Sequence, residues 1–401
     1  MPEPLSDLRV VSFAQLAQGP FATQILGDLG ADVVKVEPPG GEWMRSDAET
    51  DERAQLGLNT VWDDENLSFL AVNRSKRSVE LNLKAERHRE VAYELVESAD
   101  VVIENFRPGV MERLGFGYDE LVSRNPALIY CSSSGYGPSG PYTDRPAQDL
   151  LLQALSGMMS ITGHAEDPPT PVGTTVVDTY AAMQIVTSIL AALHERERTG
   201  EGQHVEVDML SSSLHLLSQE LVVSANSGET AERSDVPGMG HVYLQAPYGV
   251  YETADGHLAL SLSPVDEVVD ALDVDSLEGV DGLEGVDSLE AAYRRKDEIK
   301  PLIEAILRER PTAYWTDRLH EADVWCAPVR NLSDVPDDPQ VEANDTIRTI
   351  HRPGQRDLDV VSLPFRFGGE TPAPRSPPPQ AGEHTEEVLA ELGLPADYLD
   401  E

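Results

Sequence analysis

Leu8-Arg9-Val10-Val11-Ser12-Phe13, then Phe21-Ala22-Thr23-Gln24-Ile25-Leu26-Gly27-Asp28-Leu29-Gly30, then Ala31-Asp32-Val33-Val34-Lys35-Val36-Glu37: these three runs follow one another near the start of the 401-residue chain and decide its fold class. The first and third read as short strands buried within a sheet. Pro20 just inside its start and Gly30 just past its end mark the middle segment as a helix. Strand, helix and strand in this order make a βαβ unit with parallel strands. The intervening Ala14-Gln15-Leu16-Ala17-Gln18-Gly19-Pro20 then lies at the carboxyl end of the first strand, where open α/β sheets bind ligands. It lacks the G-x-G-x-x-G fingerprint, so a nicotinamide-binding domain is not indicated.

Further along, Asn73-Arg74-Ser75-Lys76-Arg77-Ser78 leads into the alternating run Val79-Glu80-Leu81-Asn82-Leu83. Three cations within four residues are unusual in so acidic a chain and invite a polyanionic ligand such as a nucleotide phosphate. A solvated charge run paired with local acids is the alternative. A helix over about 85–98, the strand Val101-Val102-Ile103-Glu104, the turn Asn105-Phe106-Arg107-Pro108-Gly109 and the strand Ala127-Leu128-Ile129-Tyr130-Cys131 repeat the α/β alternation.

The chain then passes Ser134-Gly135-Tyr136-Gly137-Pro138-Ser139-Gly140-Pro141 and reaches Gln148-Asp149, after which Leu151, Ala154, Leu155, Met158 and Met159 recur at helical spacing. Asp149 is therefore expected to open a buried helix. Two compatible readings follow. As an N-cap it accepts hydrogen bonds from free backbone N–H groups. As a nucleophile it is a carboxylate that the same helix N-terminus keeps ionised.

Beyond Gly163, a turn rich in proline and glycine, a long helix to about Glu197, the strand Gln203-His204-Val205-Glu206-Val207 and a helix over 211–224 close the first half. The texture then changes: Gly238-Met239-Gly240, Tyr248-Gly249-Val250-Tyr251 and Asp255-Gly256-His257-Leu258 read as a small α+β domain over roughly 225–345. Within it VDSLEG, VDGLEG and VDSLEA, starting at Val274, Val280 and Val286, are three short acidic copies, expected as a surface insertion rather than a solenoid. The tail, with Pro377-Pro378-Pro379 and then Gly382-Glu383-His384-Thr385 opening a last helix, reads as a strap ending in a docked element.

Charge is the loudest compositional signal: 71 acidic against 30 basic residues, a net −41 spread along the whole chain. Such a field repels nucleic acid and anionic membrane, which disfavours both as partners. Five of the basic residues are lysine and 25 are arginine. A uniformly acidic, lysine-poor surface resembles proteins of salt-accumulating halophiles, where molar salt shortens the screening length to about 3 Å. No uninterrupted apolar run approaches the length of a bilayer span, and Met1-Pro2-Glu3-Pro4-Leu5 carries no basic region followed by an apolar segment, so a cytoplasmic location is expected. Cys131 and Cys326 fit a reducing compartment and are expected as small core residues. His204 and His257 are expected as structural residues, and no cluster has metal-ligand spacing, so no metal is expected.

The pieces resemble the family III CoA-transferases, the group that includes formyl-CoA transferase and carnitine CoA-transferase. The matching stretches are Gln18 to Gln24, Leu29 to Glu37, Asn73 to Ser78, Glu104 to Gly109, Gly135-Tyr136-Gly137, Asp149 to Gly163, Ala246-Pro247-Tyr248-Gly249, Asp338-Pro339-Gln340-Val341 and Gly382 to Thr385. Each is weak alone, but nine in one order cover nearly the whole chain. The resemblance implies a large Rossmann-like α/β domain built from both chain ends (1–224 and 346–401), a small α+β domain (225–345) and two subunits interlocked as a homodimer. It implies no permanently bound cofactor, with CoA thioesters as substrates. It makes Asp149 the nucleophile. Lys76 and Arg107, with Arg77, Asn105 and Phe106 beside them, are expected at CoA. Gln15, Leu16, Ala17 and Gln18 are expected near the thioester, and Tyr136, Gly238 and Gly240 on loops that set acyl specificity. Ser132-Ser133-Ser134 stands where some members have a lysine, so part of the family's CoA contact is replaced or absent.

The family also holds α-methylacyl-CoA racemases, which place a histidine directly before the aspartate and pair it with a later acid to remove and return the α-proton. Gln148 stands in that place here, and without an imidazole the exchange lacks one of its two bases. Asp178, at the position of the later acid, is then expected as a structural residue or hydrogen-bond acceptor. The expected reaction is transfer of CoA from an acyl-CoA donor to a carboxylic acid through mixed anhydrides and an aspartyl-CoA thioester. The halophile-type composition points to central carbon acids, with succinyl-CoA and mesaconate, or another C4 to C5 dicarboxylate, as the expected pair.

Overall fold

A computed structural model describes residues 2–45, 61–62, 65–228, 231–272, 286 and 288–399. In chain order these form β1 (Arg9–Ser12), α1 (Gln18–Asp28), β2 (Asp32–Glu37), β3 (Val61–Trp62), β4 (Glu65–Asn66), α2 (Leu67–Ala71), β5 (Arg77–Glu80), α3 (Glu86–Glu97), β6 (Val101–Glu104), α4 (Val110–Leu114), α5 (Tyr118–Arg124), β7 (Ile129–Ser134), α6 (Asp149–Leu155), α7 (Met158–Ile161), α8 (Val176–Thr199), β8 (Gln203–Asp208), α9 (Met209–Leu216) and α10 (Ser218–Ser227). There follow β9 (Gly249–Glu252), β10 (His257–Leu260), α11 (Val265–Ala271), α12 (Leu289–Arg294), α13 (Lys296–Leu307), α14 (Thr312–Glu321), β11 (Cys326–Pro328), α15 (Pro339–Ala343), β12 (Ile347–Ile350), β13 (Leu358–Val361) and α16 (Thr385–Glu391). The chain divides into two compact units, one of Met1–Leu152, Thr174–Leu216 and Pro339–Glu401, the other of Gln153–Gly173 and Leu217–Asp338.

The first unit is built on a six-stranded sheet in the order β5-β2-β1-β6-β7-β8, with every neighbouring pair parallel. Consecutive residues of a strand point to opposite faces, and both faces are covered. Val10, Val33, Val101 and Ile129 pack with Ala22 and Ile25 of α1 and with Ile185 and Ile189 of α8. Their neighbours Val11, Val34, Val102 and Tyr130 pack on the other face with Val91 and Leu95 of α3 and with Val388 and Leu389 of α16. The last helix thus closes the core that the first strands open, and Arg77 of β5 pins it through Glu387 and Glu391. From β1 the chain moves outward through β2 to β5, then returns to the other side of β1 with β6. The loops after β1 and β6 therefore flank the point where strand order reverses, the place where doubly wound sheets bind ligands. Helix α8 is long and apolar enough to cross a bilayer by composition, but it is a core helix that buries Val177, Ala181, Ile185 and Ile189.

Two expectations change. The helix expected from Asp149 onward breaks after Leu155, because Gly157 adopts φ +88° and a new short helix begins at Met158. It is not buried either: Leu152 is enclosed, while Leu151 and Leu155 are 41% and 48% exposed. The helix expected over 211–224 is two helices, α9 and α10, and α10 buries none of its residues.

The second unit is centred on a three-stranded antiparallel sheet in the order β11-β10-β9. Tyr251 and Leu258 from the sheet, Val268 and Val269 from α11, Ile299 and Ile303 from α13 and Trp315 and Leu319 from α14 make its core. The buried Trp315 indole donates to the Leu307 carbonyl at 2.7 Å, which satisfies its one polar atom. Its boundaries differ from the expected 225–345: it begins at Leu217, ends at Asp338 and recruits 153–173. The cause is hydrogen bonding. The Arg233 guanidinium donates to the carbonyls of Thr162, Pro168 and Asp167 at 3.1, 3.2 and 2.7 Å, and Ala165 N–H donates to the Ser234 carbonyl at 2.8 Å. Residues 274–285 and 287, which hold most of the hexapeptide repeat, lie outside the described residues.

Candidate active site

The loop after β1 is held by side chains from three neighbouring strand ends. Lys35, the fourth residue of β2, donates from Nζ to the Ala14 carbonyl at 2.9 Å and lies 3.3 Å from Glu42 Oε1. The pair is buried, its side chains 1% and 0% exposed. Glu42 Oε2 accepts the Leu16 N–H at 2.9 Å, and Leu16 sits at φ +67°, a left-handed conformation that costs an ordinary side chain roughly 1–2 kcal/mol. Asn105, just past β6, accepts the Gln15 N–H at 2.8 Å and donates from Nδ2 to the Gln15 carbonyl at 2.7 Å. Gln18 Oε1 accepts from Ser133 Oγ of β7 at 2.8 Å. Gly19 is required by packing, since a Cβ there would lie 2.4 Å from Ala14 Cβ. Gln15, Leu16, Ala17 and Gln18 are thus a preorganised loop at the strand-order reversal. Lys35 and Glu42 escaped the sequence reading; the one signal was a lone lysine in a valine-rich strand.

A second carboxylate braces this support. Burial alone would raise the Glu37 carboxyl, but two Arg45 hydrogen bonds of 2.7 Å, with the charges of Lys35 and Arg45 and the Ser78 hydroxyl, hold it down at about 2. Glu37 Oε1 in turn accepts the Glu42 N–H at 3.1 Å, fixing where Glu42 can place its own carboxylate.

Asp149 is buried, and its Oδ2 accepts the N–H groups of Val177 at 2.7 Å and Asp178 at 3.1 Å. These are the second and third residues of α8, a 24-residue helix whose N-cap, Thr175, makes no side-chain capping bond. Asp149 therefore caps α8 from outside that helix, a role the sequence reading did not anticipate. Two aimed amides and the dipole of a long helix favour an anion at that spot. Beside it, the Asp178 carboxyl is pushed up to about 7, first by burial and then by the Asp149 charge. Gln148, in the place of the racemase histidine, is exposed.

The expected CoA cations separate into two kinds. Lys76 is buried, and Nζ donates to the Pro20 carbonyl, the Val72 carbonyl and Asn73 Oδ1 at 2.8, 2.9 and 2.8 Å, so all three donors are occupied within the protein. Burial, with the charge of Lys35, moves it well below the ordinary lysine range. Arg77 is engaged by Asp32, Glu387 and Glu391. Neither guanidinium nor ammonium is available to a phosphate, which corrects the expectation for both. Arg107 is exposed on the turn after β6 and, among the described residues, holds no acid. Arg113 on α4 is in the same condition and was missed, because a single arginine on a short helix carries no motif. Phe106, whose N–H donates to Glu104 Oε2 at 2.8 Å, is partly buried against the sheet core.

The remaining expected residues are held in place by their own loops. Tyr136 donates to the Pro146 carbonyl at 3.2 Å, and Ser134 Oγ accepts the Gly137 N–H at 3.0 Å, so Ser134 shapes this loop. Within the second unit, Gly238 adopts φ +86° and a Cβ there would meet the Val250 carbonyl at 2.5 Å, while one at Gly240 would meet the Tyr248 ring at 2.7 Å. These glycines let the loop lie against β9, where Val250 N–H donates to the Gly238 carbonyl and Gly240 N–H to the Tyr248 carbonyl. His241 accepts the Tyr243 N–H at Nδ1, so Nε2 carries the proton and donates to Glu220 at 2.8 Å. Among the described residues no three His, Cys, Asp or Glu side chains gather where they could hold a metal ion.

A family model, CoA-transferase family III, matches residues 5–385. The chain is 37% identical to the succinyl-CoA:mesaconate CoA-transferase of Haloarcula marismortui across 97% of its own length and 96% of that protein. It is 37% identical to the acetyl-CoA:oxalate CoA-transferase of Acetobacter aceti (86% and 85% covered) and 32% identical to the formyl-CoA:oxalate CoA-transferase of Streptomyces coelicolor (98% and 97% covered). A CAIB/BAIF family protein from Brucella suis superposes with a TM-score of 0.84 at 29% identity, covering 98% of this chain and all of that one. With the parallel sheet, the loop at its strand-order reversal and the family match over nearly the full length, the chain is an enzyme that belongs to CoA-transferase family III.

Proposed function

We propose that the protein transfers CoA from succinyl-CoA to mesaconate, or to a closely related C4 to C5 dicarboxylate, through covalent intermediates on Asp149. The observation that carries the mechanism is the Asp149 carboxylate seated on two α8 amides, buried yet favoured as an anion. The substrate pair rests on the full-length likeness to relatives named for it.

In the proposed cycle, the Asp149 carboxylate attacks the donor thioester carbonyl and the C–S bond breaks, giving a mixed anhydride and CoA thiolate. The thiolate attacks the aspartyl carbonyl, releasing the donor acid and leaving an aspartyl-CoA thioester. The acceptor carboxylate attacks that thioester, and the freed thiolate then takes the acceptor acyl group, regenerating Asp149. One thioester replaces another, so the exchange needs no external energy source. The anhydrides are the high points, and remote binding energy from the CoA nucleotide must hold the reacting groups together. Arg107 and Arg113 are the cations proposed for its phosphates, and the clamped Gln15–Gln18 loop is proposed to receive the acyl carbonyl.

The enzyme is further proposed to be a cytoplasmic homodimer adapted to high salt. Support comes from the net charge of −41 and from apolar side chains left exposed on α6 and α10, among them Leu150 at 55% and Val222 at 61%. Racemase chemistry is disfavoured by Gln148, which supplies no base. The deciding experiment is a screen of acceptor acids against succinyl-CoA and acetyl-CoA, with new thioesters read by mass spectrometry. Mesaconyl-CoA formation from succinyl-CoA is expected, and turnover confined to monocarboxylates would overturn the substrate reading.

A further inference from the structure

We infer that Ser133 is a positioning residue for CoA transfer: its buried hydroxyl fixes the side-chain amide of Gln18 with the carbonyl inward and the NH2 group outward, so that the loop after β1 presents an aimed hydrogen-bond donor to the acyl group. The inference rests on the reading of the Gln15–Gln18 loop as the place that receives the acyl carbonyl.

Ser133 is out of character for its position. Ile129, Cys131 and Ser133 of β7 point to one face of the sheet, and Ile129 and Cys131 pack there into the core shared with α1 and α8. An apolar residue is the default at the next position along, yet a fully buried serine stands there. A hydroxyl taken out of water has to be hydrogen-bonded. Its two serine neighbours have other tasks: Ser132 Oγ lies 2.8 Å from His204 Nε2, and Ser134 Oγ accepts the Gly137 N–H at 3.0 Å. Ser133 Oγ donates to Gln18 Oε1 at 2.8 Å, and its side chain has no other partner among the described residues.

That bond sets the orientation of the amide. A glutamine amide has an acceptor end and a donor end, and exchanging them would put Nε2 against Ser133 Oγ and leave the hydroxyl proton without an acceptor among the described residues. With Oε1 turned inward, Nε2 holds no partner among the described residues and is not sealed off, although Gln18 as a whole is buried. The backbone that carries it is already fixed. Lys35 holds the Ala14 carbonyl, Glu42 the Leu16 N–H and Asn105 both backbone groups of Gln15, and Gln18 itself opens α1. Rotation of the amide is the freedom left, and Ser133 removes it. A donor fixed in advance need not reorganise when charge develops on the oxygen it faces.

The role moves no proton. As an Asp149 oxygen bonds to the acyl carbon, the carbonyl oxygen takes the electron pair and Nε2 hydrogen-bonds it. Collapse reforms the carbonyl and expels the thiolate, with both amide hydrogens still on Nε2.

The test is a double-mutant cycle on the intact enzyme in molar KCl, with succinyl-CoA as donor and mesaconate as acceptor, comparing wild type, Ser133→Ala, Gln18→Ala and the two together. Gln18→Ala should lower kcat about 10²-fold. Ser133→Ala should lower kcat roughly tenfold while the KM for succinyl-CoA stays unchanged, as when a contact that matters in the transition state alone is lost. Adding Ser133→Ala to Gln18→Ala should change kcat by less than about twofold, because no amide remains to be aimed. Equal losses from Ser133→Ala in both backgrounds, a wild-type kcat, or a raised KM with kcat unchanged overturn the inference. If Ser133→Ala does not fold, Ser133→Cys, which keeps the shape and offers only a weak donor, takes its place in the cycle. The two readings fail differently. A slow Gln18→Ala beside a wild-type-like Ser133→Ala defeats the Ser133 inference alone, whereas Gln18→Ala with wild-type kcat removes the loop reading and this inference with it.

Discussion

Replacing Asp149 by asparagine and by alanine separates its two roles, because capping and catalysis rank the variants differently. One carboxylate oxygen accepts two N–H groups of α8, at 2.7 and 3.1 Å. An amide oxygen in the same place can accept both, so at the start of α8 Asp149→Asn loses the charge and keeps both bonds: roughly 0.5–2 kcal/mol of helix-terminus attraction, partly offset by relief of the repulsion with Asp178. Asp149→Ala leaves two N–H groups unpartnered at a buried helix start and should cost roughly 2–4 kcal/mol. Melting temperature in molar KCl should therefore order wild type close to Asn and well above Ala. Turnover should order differently, since an amide is a far weaker nucleophile and cannot form the anhydride. Both variants should fall by at least about 10³-fold. The assay is succinyl-CoA consumption, with peptide mass spectrometry of enzyme incubated with donor and hydroxylamine to find the hydroxamate. An Asn variant keeping more than about a tenth of wild-type activity would falsify the nucleophile reading. An Ala variant as stable as Asn would refute the capping geometry.

Arg107→Ala and Arg113→Ala should each raise the Michaelis constant for acyl-CoA about tenfold or more with melting unchanged, since each removes a charge-assisted phosphate contact of roughly 1.5–3 kcal/mol; unchanged constants in both would return them to the solvated surface. Lys76→Ala should instead lower the melting temperature, because it strands three internal acceptors, and an intact fold with a raised constant would contradict that placement. Glu104 is pushed up to about 8, chiefly by burial and against the Phe106 amide, from an ordinary value near 4.5. Its folded state therefore holds a proton that the unfolded chain releases above about pH 4.5, and stability from this group falls as pH climbs from there to about 8. Glu104→Gln should match wild type at pH 4.5 and exceed it in melting temperature at pH 8.5; the reverse order would show the carboxyl to be ionised. The net charge of −41 should make folding and activity depend on molar salt, and full activity after dialysis to low salt would contradict this.

The parts legible in the sequence are those where a local pattern and the tertiary arrangement agree. Consecutive valines such as Val10-Val11 and Val33-Val34 read as strands covered on both faces, and each pair does divide between two cores. Pro20 and Gly30 marked a helix that spans Gln18–Asp28, with the proline inside its first turn and the glycine beyond its end. The failures share another cause. The apolar spacing after Asp149 is that of a buried helix, but exposure of Leu151 and Leu155 depends on what covers them in space, not on their period. The cation cluster at 74–77 looked like a phosphate site because charge can be counted in a sequence while its partners cannot. Asp28, Asp32, Glu387 and Glu391, distant along the chain, engage Arg74 and Arg77. The Lys35–Glu42 pair carries no motif, and only the left-handed turn at Leu16 makes its purpose visible.

The internal pairing of most arginines bears on how so acidic a protein binds acidic ligands. Acyl-CoA phosphates and carboxylic acid substrates approach a chain with 71 acidic residues, and at low salt its field would repel them. In molar salt the screening length shrinks to about 3 Å, so long-range repulsion and long-range steering vanish together and only contact remains. Contact then favours the exposed guanidiniums of Arg107 and Arg113, which hold no acid among the described residues. Elsewhere most arginines are tied to carboxylates, carbonyls or rings, as Arg9, Arg74, Arg124 and Arg352 are to acids, which leaves few cations to misdirect an anionic substrate. Donors fixed within hydrogen-bond reach lose little to salt, whereas a diffuse positive patch would lose most of its attraction. The two arginines would therefore still serve at salt concentrations that abolish electrostatic capture, in a chain otherwise rich in carboxylates.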